Sequence, residues 1–143
     1  MSENRPAAMP AAAFQTLLEQ HMVQAVKAGI SVAELEYGTA RLRMKASEEM
    51  LRPGGTISGP AMFGLADVAL YGAVLSMIGP VALAVTTNMN INFLRKPAPR
   101  DLLAEARILK LGKRLAVGEV TIWSEGEEEP VAHATGTYSI PDR

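Results

Sequence analysis

The chain of 143 residues contains no cysteine. Disulfides, thiolate metal sites and a cysteine nucleophile are therefore excluded. Aromatic residues are scarce, at 5%, and the formal net charge is only −1. That combination offers neither stacking platforms nor a global positive field, so no nucleic acid and no membrane surface is expected as partner. There are two histidines, His21 and His133. A lone histidine without other ligand types makes a poor metal site, and no metal or cofactor is expected. The opening stretch MSENRPAAMPAAAF lacks the basic region and long apolar run of a secretory signal, which makes a cytoplasmic protein the expectation.

What the chain does have is one long oily segment. From Ala61 to Ile78 it is almost wholly apolar or small, and the single charge is Asp67. The length lies at the lower edge of the roughly 17–25 residues that span a bilayer. A carboxylate near the centre costs about 3 kcal/mol on membrane-insertion scales, and no basic cluster flanks the segment. A helix buried inside a protein core is the better reading. Ser58 or Gly59 can cap it, Pro60 suits its first turn, and Gly79-Pro80 ends it.

The rest of the chain arranges itself around that helix. Residues 1–12, rich in Ala and Pro, read as a flexible tail, leaving one domain over 13–143. Phe14, Leu17, Leu18, His21, Met22, Ala25 and Val26 recur at helical spacing, with Gly29 placed as a C-cap. From Leu35 the period changes to two: Leu42 and Met44 alternate with Arg41, Arg43 and Lys45, and Gly38-Thr39 marks a turn or bulge. Four strand signals follow the oily segment, in VALAVTTNMNINFL, in two runs joined near Leu111–Lys113, and in PVAHATGTYSIP. The expected class is α+β, an antiparallel sheet of about five strands wrapped around a long central apolar helix. One such sheet covers a helix this apolar only in part. A homodimer with an edge strand pairing across a two-fold axis is therefore expected.

The segment RPGGTISGPAMFGLAD, the run TTNMNINFLRKPAPRDLLAEARILKLGKRLAVGEVTI and the ending VAHATGTYSI together resemble the hotdog fold. Within it they resemble the thioesterases of the phenylacetic-acid-degradation type. The likeness covers roughly residues 30–140. That family carries Asn-x-x-Gly-x-x-His-Gly-Gly before its central helix and an acidic residue about two turns in. Gly55 matches the isolated Gly, Gly59 the first Gly after the His, and Asp67 the acidic residue. Three positions depart from the pattern: Arg52 stands for the Asn, Ser58 for the His and Pro60 for the second Gly.

The resemblance implies an acyl-CoA thioesterase in which Asp67 is general base or nucleophile. The alternative for Asp67 is a structural carboxylate bonded within an interface. Gly59, at a helix N-terminus, is placed to offer its N–H to the thioester oxyanion, or it is merely a cap. Thr86 sits where relatives place a hydroxyl residue that positions water, or it is a polar strand residue. Ser58 reads as an N-cap, with a nucleophile paired to a histidine as the alternative. Arg52 is a solvated loop charge or a receptor for an anionic group. Arg95, Lys96, Arg100, Lys113 and Arg114, at strand ends, are placed to bind the phosphates of coenzyme A. Met62, Phe63, Met77 and Met89 are core residues or the lining of an adaptable acyl pocket. Many relatives pair their dimers, so a homotetramer is expected. The three departures keep a rival open: an acyl-thioester-binding hotdog protein without catalysis.

Overall fold

The oily segment forms the central helix α3, Gly59–Ile78. The structure is a computed structural model and describes residues 5–142. By length and composition α3 is apolar enough to cross a bilayer, yet 67% of its apolar window is buried inside the fold. Every residue from Val68 to Ser76 is buried, so the helix is apolar all round because it is covered on all sides there.

The cover is a six-stranded antiparallel sheet: β1 (Ile30–Glu36), β2 (Thr39–Met44), β5 (Val85–Phe93), β6 (Leu102–Leu111), β7 (Leu115–Ser124) and β8 (Ala132–Ser139), in the order β1-β2-β6-β7-β8-β5. The count exceeds the expected five because Gly38, at φ 88°, makes a tight turn. The single strand expected there is thus a hairpin, β1 and β2. A two-stranded ribbon, β3 (Leu51–Arg52) and β4 (Thr56–Ile57), precedes α3. Its turn holds Gly54 and Gly55 at φ 99° and 77°, a left-handed pair that a residue with a Cβ adopts only at a cost.

Two close approaches fix α3 against its neighbours. Gly118 of β7 and Gly136 of β8 are register partners on the inner face of the sheet. A Cβ on either would meet the Leu70 side chain at 2.6 and 2.8 Å respectively. The paired glycines thus form a notch into which Leu70 fits. On the other side, a Cβ at Gly72 would meet the Phe14 ring at 2.7 Å. Burying a side chain the size of Leu70 or Phe14 contributes about 1.5–3 kcal/mol, provided nothing crowds it.

Phe14, Leu17 and Leu18 are buried on α1 (Ala11–His21). The continuous helix expected from the periodicity breaks at Met22, at φ −134° and ψ 59°, and resumes as α2 (Val23–Lys27). No Gly or Pro lies within this stretch, so no local breaker residue accounts for the break. Gly29 follows at φ 89°, as its place after the last helical residue predicts. Of the tail expected over 1–12, residues 1–4 lie outside the described residues. The remainder is docked: Ala8 N–H donates to Ser76 O at 2.7 Å, and Met9 is buried.

The outer face of the sheet mixes charged pairs with exposed apolar residues such as Leu115 and Val117. Arg41 pairs with Glu105, and Arg107 with Glu119, which also meets His133 at 3.1 Å. His133 is thus a strand residue in an ion-pair row, as its sequence context suggested.

Candidate active site

Asp67 is the only charged residue of α3, and the strands supply its partners. Thr86 of β5 and Tyr138 of β8 are register partners, so their side chains leave the sheet side by side on its inner face. Both point at one atom. Thr86 Oγ1 donates to Asp67 Oδ1 at 2.5 Å, and the Tyr138 hydroxyl donates to the same oxygen at 2.8 Å. The Tyr138 hydroxyl also lies 3.0 Å from the Asp67 carbonyl oxygen. Among the described residues no donor reaches Oδ2. The carboxylate is therefore held on one oxygen and free on the other.

Tyr138 is itself held. It is 4% exposed, and its ring stacks on Tyr71 with centroids 5.8 Å apart. Tyr71, one helical turn beyond Asp67, donates its hydroxyl to Ala82 O at 2.9 Å. Burial, followed by the adjacent Asp67 charge, raises the Tyr138 phenol far above its ordinary pKa, and burial raises that of Tyr71. Tyr138 is a neutral donor at any working pH.

Asp67 lines a cleft of about 510 Å³ walled by Met22, Ala25, Met44, Met50, Gly64 and Val68, with Lys27 and Glu49 also on its lining. That volume is within the range of roughly 300–1,000 Å³ typical of small-molecule sites. Three methionines among the walls give an adaptable surface. They are not the methionines singled out from the sequence. Met62 lines a different cavity, Met77 packs near Gly38, and Met89 packs by Gly136. Phe63 is 39% exposed.

The second cavity, about 660 Å³, contains Gly59, Met62 and Phe93, with the cations Arg52, Arg95 and Lys96. At this end of α3, Ser58 Oγ accepts from Ala61 N–H at 3.3 Å, Ser58 O accepts from Met62 N–H, and Pro60 has no N–H. Ser58 is thus the N-cap. The Gly59 N–H, the first of the helix, has no acceptor among the described residues and sits at the positive end of the dipole. A Cβ at Gly59 would stand 3.2 Å from the Phe93 ring, so a side chain there would crowd the cavity. Gly55 lies in the ribbon turn beside Arg52, its N–H donating to Arg52 O at 3.0 Å.

Two expected groupings change. Gly59 and Asp67 are eight residues apart, about 12 Å along the axis, and open into different cavities. The five cations do not form one rim within the chain. Arg95 and Lys96 follow Phe93, which pairs with Ala132, whereas Lys113 and Arg114 precede Leu115, which pairs with Ser139 at the other end of β8. Arg114 meets Asp142 at 3.5 Å, and Arg100 donates to Glu125 O at 3.4 Å. Sequence reasoning missed Tyr138. A signal was available: the inward positions of β8 are Ala132, Ala134, Gly136 and Tyr138, and one large hydroxyl-bearing residue closes a row of small ones.

The family model of the thioesterase superfamily matches residues 54–131, and the chain belongs to that family. A structure of a provisionally named thioesterase from Silicibacter is 47% identical, covering 95% of this chain and 94% of its own, with a TM-score of 0.87. The Escherichia coli PaaI protein from the phenylacetic acid degradation operon is 25% identical at a TM-score of 0.82, covering 92% and 94%. A provisionally named esterase of Halobacterium salinarum is 30% identical over 91% of both chains. The fold is the hotdog fold of PaaI-like thioesterases, and the protein is a hydrolase of the thioesterase superfamily.

Proposed function

We propose that the protein hydrolyses acyl-CoA thioesters at a site completed by two copies of the chain. The observation that carries this reading is the half-buried Asp67 carboxylate, held through Oδ1 by Thr86 and Tyr138. In a family of thioester hydrolases, a fixed carboxylate with a free oxygen facing a partly apolar cleft is suited to activate water.

Oδ2 takes a proton from water as the water oxygen attacks the thioester carbonyl. The oxyanion that forms is met by the Gly59 N–H, a donor worth roughly 3–4 kcal/mol where such groups have been removed elsewhere. The tetrahedral intermediate then expels the CoA thiolate, which regains a proton. Direct attack by Oδ2, giving a mixed anhydride that water cleaves, uses the same residues. A single carbonyl is not served by Gly59 and Asp67 of one chain across about 12 Å. Gly59 of one protomer facing Asp67 of its partner solves this. The β5 edge is the route to such pairing, with Val85 and Phe93 exposed at its two ends at 56% and 51%. Thr86, whose hydroxyl is given to Asp67, holds the carboxylate in this scheme and not the water. Arg52, Arg95 and Lys96 support a CoA-binding role for the Gly59 cavity.

Release of free thiol from a panel of short, medium and aromatic acyl-CoAs tests the reading. Turnover that disappears in Asp67→Asn while light scattering reports an unchanged dimer or larger assembly supports it. Binding of the esters without turnover would favour the rival, a carrier-binding hotdog protein whose Arg52, Ser58 and Pro60 have cost it catalysis.

A further inference from the structure

We propose that Tyr138 is a positioning residue for Asp67: with Thr86 it pins one carboxylate oxygen so that only the other faces the reacting thioester. This rests on the reading of Asp67 as base or nucleophile given above.

Three observations carry it. A half-buried carboxylate needs hydrogen bonds, and an arrangement serving burial alone would supply both oxygens, since a carboxylate accepts at about four lone-pair sites. Here both side-chain donors converge on Oδ1. The donors come from two different strands but from one register pair, so their spacing is set by the sheet and not by flexible side chains. Finally, Tyr138 is fixed at both ends, by its stack on Tyr71 and by its second contact to the Asp67 carbonyl. A group so held arrests rotation of the carboxylate about its last side-chain bond. Among the described residues, Lys27 on α2 and Glu49 on the short turn Glu48–Met50 also line the Asp67 cleft, and Tyr71 on α3 backs Tyr138.

The test is Tyr138→Phe, which keeps the ring and removes the donor. We expect kcat to fall about 10–100-fold, in the range of acid–base effects, with KM for acyl-CoA within about threefold of the parent. A loss confined to kcat separates misplacement of the carboxylate from loss of substrate binding. Thr86→Val behaves alike and Thr86→Ser restores activity. Difluorotyrosine placed at 138 keeps both the ring and the donor, and it holds kcat within about threefold of the parent even if the Phe variant does not fold. A folded Tyr138→Phe with kcat within twofold of the parent, while Asp67→Asn is inactive, overturns the positioning role alone. An Asp67→Asn variant with full turnover overturns the catalytic reading, and the positioning role with it.

Discussion

The two cavities at the exposed end of α3 are built on different principles. The Asp67 cleft takes its order from buried groups: a register pair of hydroxyls, a tyrosine stack and a helix keyed into the sheet. The Gly59 cavity takes its order from a backbone donor, and its charges are exposed side chains on the ribbon and on the loop after β5. Buried hydrogen bonds keep their strength in salt, whereas exposed cations are screened. Chemistry assigned to the first cavity should therefore depend on atomic position, and binding assigned to the second on ionic strength.

The largest effect that tests this contrast is Asp67→Asn. Turnover should fall at least about a hundredfold, with the mass in solution and the melting temperature unchanged from the parent's. Near-parental turnover would dissolve the distinction between the cavities. Next is Gly59→Ala. Its Cβ would press on Phe93 at 3.2 Å, so kcat/KM should fall about tenfold, and Phe93→Leu in the same chain should recover part of it. A recovery that fails would mean that the amide itself, and not the crowding, had been disturbed.

A smaller response comes from the cations. Exposed charges contribute about 0–1 kcal/mol each, so Arg95 and Lys96 changed together to Ala should raise KM by at most roughly thirtyfold, with kcat nearly unchanged. Added salt should mimic this in the parent, and an N-acetylcysteamine thioester should respond to neither. Lys113 and Arg114 stand at the other end of β8, and their double Ala variant measures what a partner chain brings. A KM change equal to that of Arg95 and Lys96 would place all four on one ligand across the interface.

The smallest prediction concerns acid and leaves both cavities alone. Asp101 accepts from Ala46 N–H at 2.8 Å and from Arg43 at 3.0 Å. These bonds, the amide first, hold its carboxyl below its ordinary pKa. The stabilisation is full above the unfolded value near 4 and is lost as pH falls through the lower folded value. Asp101→Asn should cost about 1 kcal/mol at pH 7 and flatten the decline in melting temperature below pH 4. A decline as steep as the parent's would assign the acid sensitivity elsewhere.

How far the sequence led depends on the kind of information each residue carries. Asp67 was legible because a lone carboxylate in an oily helix violates a composition rule. Ser58, Pro60 and Gly79 were legible because helix ends have local chemistry. Tyr138 was not, because its role exists only once β5 and β8 are in register, and register is a long-range property. The cations from Arg95 to Arg114 misled for the opposite reason. They are near in sequence, but the length of β8, about 24 Å, separates the two groups. The break at Met22 leaves no mark in the sequence, since no residue there forbids a helix.

The notch of Gly118 and Gly136 that receives Leu70 can be viewed as an angular index. Successive residues of a helix are set about 100° apart. If α3 slipped by one residue against the sheet, the carboxylate three positions before Leu70 would swing by that angle, away from Thr86 and Tyr138. Only the residue at that one azimuth fits the recess, so the helix has one permitted phase. The placement of the Asp67 carboxylate is thus set by two missing side chains on β7 and β8.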